Sequence, residues 1–175
     1  MKKKKKVLSF AMSMSLVFGL VACGGQTSSG GSNNVLKVQI DVEVASMDPQ
    51  IATDGTSFEV LAAVTEGLYS VDADGSPILA IADSVNKSTD GLTYEFKLKD
   101  AKWSNGSAVT ANDFVFAWKR LVDPATASEY SFIAGIAGIK NASEISAGNL
   151  PVEDLGVKAL DEKTLVVELS TPVPF

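Results

Sequence analysis

The stretch from Gly91 to Pro124 constrains this chain more than any other, because it specifies a strand, a tight turn and a helix in one uninterrupted run. Leu92, Tyr94, Phe96 and Leu98 alternate with Thr93, Glu95, Lys97 and Lys99. A period of two gives a strand one apolar and one wet face. Trp103-Ser104-Asn105-Gly106 follows as a turn, since Asn and Gly tolerate the left-handed backbone of a tight reversal. Thr110 is expected as a helix N-cap, with Asp113 three residues on as its acidic partner. Phe114, Ala117, Trp118 and Leu121 recur at i, i+3, i+4 and i+7 as one apolar stripe. Lys119 and Arg120 fall in the last turn, where cations suit the helix dipole, and Asp123-Pro124 ends the helix. A strand packed on such a helix puts Trp103, Phe114 and Trp118 in a core.

The first residues belong to processing rather than to a fold. Lys2 to Lys6 is a basic run, followed by an apolar, serine-interrupted run from Val7 to Ala22. That pattern describes a secretory signal peptide and is short for a membrane-spanning helix. It closes on Leu20-Val21-Ala22-Cys23, which looks like a bacterial lipobox; the thiol of Cys23 is the expected lipid attachment point. Cys23 is the only cysteine in the chain, so no intrachain disulfide is possible. Gly24 to Asn34 is rich in Gly, Ser, Thr and Asn and reads as a flexible tether with a reach of about 15–20 Å. Removing the signal removes five of the fifteen basic residues and none of the twenty-one acidic ones, leaving a net charge of −11. So acidic a balance argues against nucleic acid and against electrostatic adhesion to anionic lipid.

Along the rest of the chain, Leu36, Val38, Ile40 and Val42 alternate with polar residues and predict a strand over Val35–Val42. Asp48-Pro49 marks a turn. Thr56 and Glu59 suggest a capping box for a helix that buries Phe58, Leu61, Ala62, Thr65 and Leu68. Asp72-Ala73-Asp74-Gly75 predicts a turn between two short strands, a solvated turn rather than a calcium loop because no glutamate follows at the required spacing. A second helical stretch is expected from Ala125 to about Ile145. Gly135 and Gly138 cost it about 1 kcal/mol each relative to Ala, so a break or close packing is expected there. Val157–Leu160 and Thr164–Leu169 predict a hairpin around Asp161-Glu162-Lys163, with Leu165, Val167 and Leu169 on one face.

Catalytic chemistry has little to work with. There is no histidine, hence neither the commonest general base nor the commonest metal ligand. No nucleophile elbow, phosphate-cradling loop or metal-ligand spacing occurs. Neighbouring carboxylates such as Glu153 and Asp154 face apart on regular structure. A non-enzymatic chain without metal or cofactor is expected.

The wording of several segments says more than their periodicity. Gly91–Leu98, Lys102-Trp103-Ser104-Asn105-Gly106 and Val109–Arg120, in that order and spacing, resemble the signature of the family 5 extracellular solute-binding proteins. These are the binding components of peptide and nickel ABC importers. Ser46-Met47-Asp48-Pro49, Glu66-Gly67-Leu68-Tyr69, Asp154–Asp161 and Leu169–Phe175 are similar to oligopeptide-binding members. The resemblance implies an α/β, periplasmic-binding-protein-like (type II) clamp with an additional domain, and proteins much longer than this one. The chain then reads as an N-terminal fragment or truncated product. Its parts would be a signal peptide at 1–22, a tether at 23–34, the start of the first lobe at 35–65 and most of the additional domain at 66–175. The implied function is capture of extracellular oligopeptides for an ABC permease, by a protein anchored through lipid to the outer face of the cell membrane. The alternatives are a receptor for a signalling peptide or other solute, and a surface adhesin. By resemblance, Thr53-Asp54-Gly55 would offer main-chain partners to a peptide, and Tyr130 would lie against it. The residue that holds the peptide's ammonium group would lie beyond Phe175.

Overall fold

A computed structural model describes residues 37–173. In chain order the elements are α1 (Gly55–Val64), β1 (Tyr69–Val71), β2 (Pro77–Leu79), β3 (Ala82–Lys87), β4 (Thr93–Leu98) and α2 (Ala111–Val122). A 3-10 turn at Pro124–Thr126 leads to α3 (Phe132–Ile136) and α4 (Ala142–Ser146); a second at Val152–Asp154 precedes β5 (Val157–Asp161) and β6 (Thr164–Glu168). The chain divides into two units, Met1–Gln39 and Ile40–Phe175, and every one of these elements lies in the second.

The alternating stretch Leu92–Lys99 becomes β4, at the interior of a four-stranded antiparallel sheet ordered β3-β4-β6-β5. Phe96 and Leu98 are buried on its inner face while Lys97 stays exposed. Leu165, Val167 and Leu169 are buried as one face, and β6 is covered on the other face too, where Thr164 and Val166 are buried. The buried Thr164 hydroxyl donates to Asp161 Oδ2 at 2.8 Å and accepts from Lys97 Nζ at 2.8 Å, which satisfies a polar group that burial would otherwise penalise. Both outer strands break register once, between Ala82 and Ser84 on β3 and between Ala159 and Asp161 on β5. The Asp72–Gly75 turn joins β1 to β2 as expected, with Gly75 at φ +87°.

α2 begins where its capping box places it: Asp113 Oδ2 accepts from Thr110 N at 2.7 Å and from Thr110 Oγ1 at 2.9 Å. The helix packs against β5 and β6. The turn between those strands docks on its start, Ala111 N donating to Glu162 O at 2.8 Å and Lys163 Nζ donating to Val109 O at 3.2 Å. Phe114 and Trp118 are partly buried against the core formed by Phe96, Ile145, Leu165 and their neighbours. Trp103, expected in that core, is instead 49% exposed, because the turn Trp103–Gly106 carries it outward.

Three expectations are corrected. Lys37–Val42 forms no strand, and Val38, Ile40 and Val42 are exposed. Alternation alone makes no strand where no neighbouring chain takes the N–H and C=O groups. The N-cap of α1 is Asp54 rather than Thr56, since its carboxylate accepts from Ser57 N; Phe58 on that helix is partly exposed. The helical stretch expected from Ala125 begins only at Phe132, while the break expected at its glycines is present. The stretch breaks at Gly138 (φ +74°) and Asn141 (φ +66°), and the short helices α3 and α4 pack so closely that a Cβ on Gly135 would strike Ser143. The expected signal peptide, Cys23 and the tether lie outside the described residues.

Candidate functional site

The segment ahead of α1 has no helix or strand of its own, yet polar contacts fix it at both ends. Asp48 O accepts from Ile51 N and Ala52 N, which closes the Asp48-Pro49 turn. The Asp48 carboxylate takes a two-pronged grip from Arg120 on α2, Nη1 to Oδ1 at 2.7 Å and Nη2 to Oδ2 at 2.6 Å, with Gln50 N adding a third bond to Oδ1 at 3.0 Å. Such parallel guanidinium bonds fix direction as well as charge. They hold the Asp48 carboxyl below the usual carboxylate range, the Arg120 hydrogen bond weighing most, and the same bond raises Arg120.

At the other end Asp54, in extended conformation (φ −110°, ψ 152°), caps α1. Its Oδ1 accepts from Ser57 N at 2.9 Å and its Oδ2 from Ser57 Oγ at 2.6 Å. These two bonds, the hydroxyl first, hold the Asp54 carboxyl below its ordinary range. Ser57 Oγ in turn accepts from Ser46 N at 3.1 Å, and Ser46 Oγ accepts from Asp48 N at 3.1 Å.

Of the residues singled out in the sequence, Thr53 and Gly55 are exposed, and Gly55 has nothing within 4 Å of where a Cβ would stand. Among the described residues the Gly55 N–H has no hydrogen-bond partner. The side chain of Asp54 is committed to Ser57, and its carbonyl accepts from Phe58 N at 3.2 Å. Tyr130 is half-buried and comes to the same place: its ring meets that of Phe58, three residues beyond Gly55, edge-on at 5.7 Å and 69°. The Phe132 ring stands 6.1 Å from that of Tyr130, tilted by 39°. The structure thus brings Tyr130 next to the first turn of the helix that Thr53–Gly55 opens.

Sequence reasoning missed Phe58, Phe132, Ser46, Ser57 and Arg120 as neighbours of this loop. Only Asp54 followed three residues later by Ser57 carried a local signal, an acidic cap with a serine at the third helical position. A separate groove of about 720 Å³ runs between the end of α1, the Trp103 turn and α2, lined by Val64, Glu66, Trp103 and Phe114 among others. It contains none of Thr53, Asp54, Gly55 or Tyr130. Among the described residues no group of three or more His, Cys, Asp or Glu could hold a metal ion, and no helix is long and apolar enough to cross a membrane.

Residues 76–175 match the model of the bacterial extracellular solute-binding proteins, family 5 Middle, and the chain belongs to that family. Its fold is accordingly the α/β, periplasmic-binding-protein-like fold of family 5. A dipeptide-binding protein of Lactococcus lactis subsp. cremoris is 44% identical over 89% of this chain and 28% of its own length. The solved substrate-binding domain of an oligopeptide ABC transporter from Bacillus anthracis str. Ames is 53% identical, with a TM-score of 0.72 over 75% of this chain and 25% of that one. The pheromone receptor PrgZ, solved with its mode of peptide binding, is 46% identical, with a TM-score of 0.70 over 75% of this chain and 26% of that one. The chain therefore spans only about a quarter of the length of the relatives it matches.

Proposed function

We propose that this chain is part of the substrate-binding component of a peptide ABC importer, a non-enzymatic protein that captures extracellular peptides and hands them to a membrane permease. The observation that carries this reading, beyond family membership, is the Gly55 N–H, without a partner among the described residues, at an exposed helix start beside the Phe58–Tyr130–Phe132 ring cluster. A binder of many peptides must hold what all peptides share, the main chain, and leave side chains in roomy, wet pockets. Thr53 and Gly55 supply main-chain groups, and Tyr130 supplies an apolar ring with one hydroxyl. Residues 35–65 would begin the first lobe and 66–175 would form most of the additional domain. The cleft would close against a lobe outside these 175 residues. Cys23, lipidated, would anchor the protein to the outer face of the cell membrane.

The test is calorimetry on the full gene product with tetra-alanine, a peptide that presents little besides its main chain. Binding is expected there and not with the 175 residues alone; micromolar binding by the 175 residues would overturn the two-lobe reading. Gly55→Pro removes the N–H at a position where proline suits a helix start, and the extended backbone of Asp54 suits a residue before proline. It should leave the fold intact and weaken the peptide. Tyr130→Ala should weaken it by roughly 1–2 kcal/mol, about five- to thirtyfold.

A second reading is a receptor dedicated to one signalling peptide, favoured by the 46% identity to a pheromone receptor. Comparable affinity for unrelated peptides supports the importer, whereas preference for one sequence over all others supports the receptor.

A further inference from the structure

We propose that Ser57 is a positioning residue for the peptide-binding loop, its buried hydroxyl joining Asp54 to Ser46 and so holding Thr53–Gly55 in one conformation. This inference rests on the reading of Thr53–Gly55 as main-chain partners of a peptide.

The starting point is that Ser57 does more than a helix cap requires. Capping α1 needs only the Ser57 N–H, which donates to Asp54 Oδ1, and any residue but proline would supply it. The hydroxyl is additional, and it is fully buried at 0% exposure. A buried hydroxyl must find partners for one donor and at least one lone pair. Here it donates to Asp54 Oδ2 at 2.6 Å and accepts from Ser46 N at 3.1 Å. Ser46 is eleven residues away in sequence, on the far side of the unstructured segment. The contact therefore staples the two ends of the segment that contains Thr53.

The staple is one link in a longer run. From Ser46 the chain of contacts continues through Asp48 N to the Asp48 carboxylate and its two bonds from Arg120 on α2. Loops exposed to solvent are ordinarily mobile, and a loop that must be ordered by its ligand weakens binding by the entropy that ordering removes. A loop already held by Asp54, Ser57, Ser46 and Asp48 avoids most of that loss. Removing the Ser57 hydroxyl leaves Ser46 N–H and Asp54 Oδ2 without these partners, and the staple opens while the cap remains.

The experiment uses the full gene product and tetra-alanine, measured by calorimetry at a temperature well below the unfolding midpoint of every variant. Ser57→Ala should weaken the peptide about tenfold and accelerate amide exchange across residues 46–56. Asp54→Ser retains an N-cap of equal quality, but its single side-chain oxygen, held by the Ser57 N–H, leaves no second acceptor for the Ser57 hydroxyl. It should therefore weaken binding to a similar degree with little change in midpoint, and it carries the test if Ser57→Ala fails to fold. The double variant should bind no more weakly than the poorer single one, since both break the same link. A Ser57→Ala protein with a lowered midpoint but wild-type affinity would show a purely structural role and overturn the proposal. Gly55→Pro separates the two layers. If Gly55→Pro weakens binding and the Ser57 and Asp54 variants do not, only the positioning role fails. If Gly55→Pro and Tyr130→Ala both bind like wild type, the site itself is wrong and the positioning role falls with it.

Discussion

The two ends of the described chain hold their shape by different means. From Tyr69 to Val173, main-chain ladders join four strands in a continuous sheet, and a core that includes Phe96, Ile145 and Leu165 fills the space between sheet and helices. From Ile40 to Thr65 there is one helix and no strand, with Ile40, Val42, Met47, Ile51 and Val64 exposed. What orders that segment is a handful of side-chain bonds: Asp48 to Arg120, Asp54 to Ser57, Ser57 to Ser46, with the buried Ala52 and Leu61 as its apolar footholds. The first region draws on burial, which is cooperative and hard to undo locally. The second draws on discrete polar contacts, so it can open without the first unfolding.

The largest break should come from the sheet. Leu165→Ala, at a position with no exposure, is expected to cost about 2–5 kcal/mol, a large share of a typical domain's stability; a urea unfolding curve would show it as one cooperative shift. An unchanged midpoint would mean that this core does not carry the fold. Next comes the start of α2. Asp113→Ala deletes both bonds from Thr110 and should cost about 1 kcal/mol, read from the same curve.

Arg120→Gln should hardly move the global midpoint yet expose the segment 43–53 to limited proteolysis, because it severs the loop from α2 alone. Simultaneous loss of resistance throughout the chain would contradict a separate opening of the two regions.

The smallest effect is acid-dependent. Asp48 and Asp54 are both held below their ordinary value of 3.8, the first chiefly by Arg120 and the second chiefly by the Ser57 hydroxyl. Depressed carboxyls contribute stability that is complete above 3.8 and is lost as pH falls through their lower folded values. Glu168 and Asp161 at the sheet are lowered as well, but the β4–β6 ladder opens only together with its core. Amide exchange of residues 46–57, corrected for intrinsic rates, should therefore loosen below about pH 4 before that ladder does. Exchange that loosens first in the ladder would reverse the ranking.

The same contrast explains what could be read in advance. β4, the Asp72–Gly75 hairpin, the Thr110–Asp113 box and the Asp161–Lys163 hairpin were legible because each is specified by residues a few positions apart. Trp103 was misjudged because hydrophobicity predicts burial only when the backbone turns inward, and this turn faces out. Lys37–Val42, within the expected strand, forms none for want of a pairing partner that local pattern cannot supply. Of the candidate site, the residue types at Thr53–Gly55 and Tyr130 came from likeness to a family. The Phe58–Tyr130 contact joins residues distant in sequence and close only once α1 is docked. The two-bond pairing of Asp48 with Arg120, 72 residues apart, was equally invisible.

The register breaks on the outer strands have a consequence for what can add to the described sheet. β3 and β5 are the two margins of the described sheet, and a long flat margin invites another chain to add itself as a further strand. Each margin is interrupted, at Ala82/Ser84 on one side and Ala159/Asp161 on the other, and a bulge both bends a strand and increases its twist. β3 also turns Asp83, Ser84, Asn86 and Lys87 to solvent. The described sheet therefore has two blunted edges, and addition of a further strand is disfavoured at both.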